Sequence, residues 1–141
     1  MDVKLILLPV DGSPHSLRAA EAAIEIAKHF GSEIILLNCR KALGTMILGE
    51  PMFQGNVEKH VERSEETLAP YVTLLKDAGV PFSERIIPGR ARDVIPDVAK
   101  AEHCDLIVMG KRGVSDIARL VVGSVTNKVL QIAQCPVLVI R

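Results

Sequence analysis

Apolar residues run unbroken from Leu5 to Leu8 inside the segment Val3 to Val10. The chain then turns polar at Asp11-Gly12-Ser13-Pro14. After that, Leu17, Ala20, Ile24 and Ala27 recur at helical spacing. Continuous apolarity marks a strand covered on both faces, and a repeat of roughly 3.6 residues marks an amphipathic helix. Ser13 is predicted to cap this helix. Pro14 suits its first position, where the missing N–H would have no partner anyway. Gly31 is the expected stop, and Glu33 to Cys39 is a second apolar strand.

The segment Arg40 to Gly55 has no period and carries Gly44, Gly49, Pro51 and Gly55. It also holds Met46, Ile47, Leu48, Met52 and Phe53, too apolar for a solvated linker. Two readings stand: a loop folded down on the body or against a partner chain, or a lid over a ligand. A long helix follows, with Val57, Val61, Leu68, Val72 and Leu75 on one face and Gly79 at its end. Pro70 lies inside it and predicts a kink or break. Phe82 to Ile87 is a third strand, more polar and so nearer a sheet edge. Ala91 to Glu102 is a shorter helix that Pro96 should distort. Asp105 to Met109 is a fourth strand, Gly110 to Gly123 a glycine-bounded loop, Ser124 to Gln134 a last helix, and Pro136 to Ile140 a fifth strand.

Strands alternating with helices predict an α/β fold: one doubly wound domain over residues 1–141, a parallel sheet with helices on both faces. Composition narrows the function. Hydrophobic residues make up 48% and charged residues 24%, which excludes disorder of the whole chain. Lys plus Arg and Asp plus Glu are 17 each, with no Trp, one Tyr and three Phe, so neither a basic footprint nor stacking aromatics suggest nucleic acid. The run Leu5 to Val10 is far short of the roughly 20 residues a membrane span needs, and no cleavage site follows it. A cytoplasmic protein is expected. Cys39, Cys104 and Cys135 have no Cys-x-x-Cys spacing and read as small buried hydrophobes.

No P-loop, dinucleotide fingerprint, zinc-protease helix or nucleophile elbow is present. His15, His29, His60 and His103 are scattered, and no catalytic residue is assigned. In open α/β sheets, ligands bind beyond the carboxyl ends of the strands. Two loops lie there. Pro9-Val10-Asp11-Gly12-Ser13 follows the first strand. Gly110-Lys111-Arg112-Gly113, nine further residues and Gly123-Ser124 follow the fourth. Glycines let backbone N–H groups approach an anion, a helix N-terminus adds its dipole, and Ser124 adds a hydroxyl. Ordinary turn chemistry explains the same residues. Asp11 at a strand end suits a ribose hydroxyl, or equally a turn before the first helix.

Gly-x2-Gly-x9-Gly-Ser resembles the nucleotide-binding motif of the universal stress protein family, in its ATP-binding branch. The start Val-Lys-Leu-Ile-Leu-Leu-Pro-Val-Asp-Gly-Ser, the stretch Asp105-Leu-Ile-Val-Met-Gly and the ending Cys135-Pro-Val-Leu-Val-Ile are similar to the same family. The resemblance implies a five-stranded sheet in the order 3-2-1-4-5. It implies ATP, or AMP, at the tips of the first and fourth strands, with magnesium or manganese carried on the phosphate oxygens. It places Gly110, Gly113, Gly123, Ser124 and Val125 around phosphates and ribose, Asp11 at ribose or base, and Pro9 and Cys39 on the adenine side, Cys39 through its backbone. It also implies a homodimer through the last strand, Pro136 to Ile140. The expected role is a nucleotide-dependent stress-response or signalling regulator. The alternatives are a slow ATPase or self-phosphorylating protein, with Ser115 or Ser124 as acceptor, and a nucleotide-independent dimeric interaction module. Arg90, before the third helix, is a poor N-cap.

Overall fold

In the computed structural model, which describes residues 1–40, 54–111 and 122–141, the first apolar run becomes strand β1 (Leu5–Pro9). Helix α1 (Pro14–Phe30), strand β2 (Glu33–Arg40), helix α2 (Gln54–Ala78), strand β3 (Phe82–Pro88) and helix α3 (Ala91–Ala101) follow. Strand β4 (Leu106–Gly110), helix α4 (Ser124–Ile132) and strand β5 (Val137–Ile140) complete the order. The five strands are parallel, in the order β3-β2-β1-β4-β5. Leu7 of β1 pairs with Ile35 on one side and Ile107 on the other, so β1 is central and β3 is an edge, as its polarity predicts.

The unbroken apolar runs are explained by burial on both faces. Ile6, Leu8, Ile34, Leu36 and Val108 pack under α1 and α2, against Ala20, Ile24, Leu68 and Leu75. Leu7, Ile35, Leu37 and Ile107 alternate to the other face and meet Ile95 and Val98 of α3 and Val129 of α4. Each fully buried leucine or isoleucine contributes roughly 1.5–3 kcal/mol over its exposed state.

The local signals at α1 are realised. Ser13 accepts a hydrogen bond from the Ser16 N–H, and Gly31 closes the helix in the left-handed conformation at φ 70°. Arg90 precedes α3 without any side-chain cap. Helix α2 is continuous through Pro70, so the break that was one of the two readings there does not occur, and α3 runs continuous through Pro96. Pro70 faces solvent, where water can bond the carbonyl of Glu66, while its neighbours Leu68 and Tyr71 are held in the core. Pro96 is buried with Ile95 and Val98. The last helix ends at Ile132, two residues early, because Ala133 takes an extended backbone. The lid and folded-down readings of the loop after Arg40 both fall on residues outside those described.

Candidate functional site

Strand β1 delivers the chain to the carboxyl pole of the sheet, where Asp11 and Gly12 turn it into α1. The Asp11 Oδ1 accepts from the Ser13 N–H at 2.9 Å, so the aspartate forms the turn and Ser13 forms the cap. Gly12 has φ +85°, a left-handed conformation that glycine adopts without strain. The Gly12 N–H donates to the Tyr71 hydroxyl at 3.2 Å, and that hydroxyl donates to Ser16 Oγ at 3.0 Å. Ser16 Oγ in turn accepts from the Asp11 N–H at 3.2 Å. Tyr71 is 2% exposed, and burial raises its pKa above the ordinary tyrosine value. The phenol therefore stays a neutral donor that ties the first loop to α2.

Asn38, near the end of β2, supports the same loop from below. Its Nδ2 donates to the Val10 carbonyl at 2.9 Å, while its buried Oδ1 has no partner among the described residues. Cys39 follows on the opposite face among Ile87 and Val125, and burial pushes its thiol up to about 12. Such a thiol is neutral at physiological pH.

Strand β4 ends at Gly110. The Thr126 hydroxyl, one turn into α4, donates to the Gly110 carbonyl at 2.8 Å. The Gly123 N–H donates to the Lys111 carbonyl at 2.9 Å, and the Lys111 N–H to the Ile140 carbonyl at 2.7 Å. These bonds fold the α4 N-terminus back onto the tips of β4 and β5. Gly123 is the N-cap and offers no side chain to the first turn of α4. Gly110 also approaches α1: a β-carbon on it would lie 2.7 Å from His15 Cβ. The N-termini of α1 and α4 thus flank the tips of β1 and β4, and both dipoles favour negative charge there.

Of the expected site residues, Gly110, Gly123, Ser124 and Val125 come together around the β4–α4 junction, and Pro9 and Asp11 stand at the neighbouring β1 tip. Cys39 lies one strand further, with Pro9 paired to Leu37 two residues before it. Gly113 lies outside the described residues, as does Ser115. Sequence reasoning missed Tyr71, Ser16, Asn38 and Thr126. Asn38 had a signal, as the one polar side chain inside the run Ile34 to Cys39; Tyr71 had none beyond being the sole tyrosine. Among the described residues, no group of three or more His, Cys, Asp or Glu is placed to hold a metal ion, and no helix is long and apolar enough to cross a membrane.

The model of the Universal stress protein family matches residues 3–141. A universal stress protein of Thermus aquaticus is 37% identical over 139 residues, covering 98% of each chain. The solved universal stress protein UspA from Lactobacillus plantarum superposes with a TM-score of 0.86 at 27% identity, over 100% of this chain and 99% of its own. The universal stress protein from Archaeoglobus fulgidus, solved in complex with dAMP, gives a TM-score of 0.73 at 24% identity over 100% of both chains.

Proposed function

The chain belongs to the universal stress protein family, and we propose that it is an adenine-nucleotide-binding member of it, in which ATP occupancy sets conformation or partner choice. One observation carries the reading. The α4 N-terminus begins on a glycine that gives it no side-chain cap, and it is tied back against the ends of β4 and β5 beside Lys111. A helix start of this kind suits phosphate oxygens, which accept from backbone N–H groups and meet the positive end of the dipole. The neighbour solved with dAMP supports an adenine nucleotide as the ligand class.

In this reading Gly110, Gly113, Gly123, Ser124 and Val125 surround the triphosphate and ribose. Asp11 accepts from ribose hydroxyls, and Pro9 and Cys39 border the adenine. Magnesium or manganese rides on phosphate oxygens and keeps most of its waters. The buried Tyr71–Ser16 pair and Asn38 fix the β1–α1 loop, so the site loses little entropy on binding. The proposed role is that of a regulator. Two copies pair through β5.

The test is a thermal melt of nucleotide-stripped protein with and without Mg-ATP, and with Mg-GTP as control. A ligand at about 100 times its dissociation constant adds roughly 2.7 kcal/mol of stability. A rise of several degrees with ATP, absent with GTP and lost in Gly113→Glu, supports the reading. No rise with ATP at millimolar concentration overturns it.

A further inference from the structure

At the opposite pole of the sheet, below the starts of β4 and β5, lies a cavity of about 390 Å³. Its wall includes both Cys104 and Cys135, together with Lys100, His103 and Gln134. Both cysteines are free, and both pack against the same apolar cluster under α3 and α4, so their thiols share one face of the sheet. Ile107 pairs with Val137, and the Ile107 N–H donates to the Pro136 carbonyl at 3.0 Å. Cys104 precedes β4 and Cys135 precedes β5, neighbouring strands of the sheet, and Cys135 is among the groups that raise the Cys104 thiol, so the two side chains lie near each other.

The backbone around Cys104 is fixed. His103 follows α3 in the left-handed conformation, φ 55°, at a place where glycine is the usual occupant. That turn lets the Cys104 N–H bond the Ala99 carbonyl at 2.9 Å. The nearby carboxylates are already engaged. Glu102 pairs with Arg85 at 2.7 Å, and Asp105 accepts from the Lys4 and Leu5 N–H groups at 2.9 and 3.0 Å. Among the described residues no third His, Cys, Asp or Glu is placed with the two sulfurs to hold a metal ion, which suits neither tetrahedral zinc nor an oxygen-seeking ion.

We propose that Cys104 and Cys135 form a two-thiolate site for a soft monovalent d10 cation of the copper(I) class. Soft thiolates select such ions, and two sulfurs satisfy one. Binding exchanges protons for the metal: two thiols and one Cu⁺ give a bis-thiolate cuprate, of charge minus one, and two H⁺. No electron is transferred. Lys100, on the same cavity wall, supplies the positive charge that balances the anionic complex. The cavity supplies room for an ion between the sulfurs, which a direct disulfide would leave empty.

The test uses the full chain, reduced and free of oxygen, titrated with Cu(I) as its acetonitrile complex against a chromogenic copper(I) chelator. The expected result is a single equivalent held per chain. Cys104→Ser and Cys135→Ser should each weaken it about a hundredfold or more, and Lys100→Ala by a smaller factor. Cys39→Ser and His103→Gly should leave it unchanged. On the unsubstituted protein, which removes any question of folding, X-ray absorption at the copper edge should show two sulfur neighbours and no nitrogen. Failure to hold the equivalent, retention in either serine variant, or a copper coordination other than two sulfurs overturns the site.

Discussion

Gly110 sits so close to His15 that a β-carbon on the glycine would lie 2.7 Å from the His15 Cβ and 2.8 Å from its carbonyl carbon. Real β-carbons do not approach backbone that closely, so the tip of β4 and the first turn of α1 touch only because residue 110 has no side chain. The first glycine of the glycine-rich loop thus has a packing reason of its own, apart from any ligand.

Gly110→Ala should therefore destabilise the protein without nucleotide, by about 1–3 kcal/mol, the ordinary cost of forcing an extra carbon into packed structure. At this chain length that lowers the melting temperature by about 2–4 °C per kcal/mol. An alanine variant that melts with the parent would show that α1 and β4 yield to each other.

The two helix starts differ in a way that predicts opposite signs. Ser13 caps α1 through its hydroxyl, while Arg90 gives α3 no side-chain bond. Ser13→Ala should lose roughly 1 kcal/mol, and Arg90→Ser should gain a similar amount. Urea unfolding of both variants checks this. A stabilising Ser13→Ala or a destabilising Arg90→Ser would mean that the loops, and not the caps, set these helix ends.

Much of the fold was legible because its signals are local. Uninterrupted runs such as Leu5 to Leu8 could only be strands covered twice, and Ser13-Pro14 and Gly31 bracket α1 by capping chemistry. Pro70 does not break α2, because a proline's effect depends on its surroundings and the packing of Leu68 and Tyr71 holds that helix continuous. The glycine spacing pointed to the pole where the N-termini of α1 and α4 flank the strand tips. What holds that pole together joins residues far apart in sequence, Tyr71 with Ser16 and Asn38 with Val10, and no short-range pattern encodes such pairs. The turn role of Asp11 was one of its two readings, and the structure realises it.

Cys39 should be inert for the same reason that it is buried. Its thiol is pushed from 9.0 up to about 12 by desolvation, so at pH 8 its thiolate fraction falls about a thousandfold below that of a free cysteine. Alkylation by iodoacetamide should be slow in the native protein and fast in urea. The raised value favours the folded state fully below pH 9, and that contribution is lost as pH climbs toward 12. Rapid native alkylation of Cys39 at pH 8 would mean that the end of β2 opens to solvent.

The last strand bears on assembly. β5 is an edge, bonded within the chain only to β4, and its sequence Val-Leu-Val-Ile carries no charge, proline or bulge of the kind that protects exposed edges. Leu138 is 38% exposed, and Leu17, on the helix whose Arg18 bonds the Arg141 carbonyl, is 42% exposed. An apolar edge of this sort favours a second copy of itself, because pairing satisfies the outer N–H and carbonyl groups and covers the side chains together. Val139→Asp places a charge in that strand and should convert the dimer to monomer in light scattering. Because Val139 is half-buried, the substitution also strains the fold, so Leu138→Lys, at the more exposed position, serves as the second variant. Both should be monomeric, and the lysine variant should melt near the parent temperature. If the parent itself is monomeric, or if both variants remain dimers, the interface lies elsewhere and the apolar edge needs another partner.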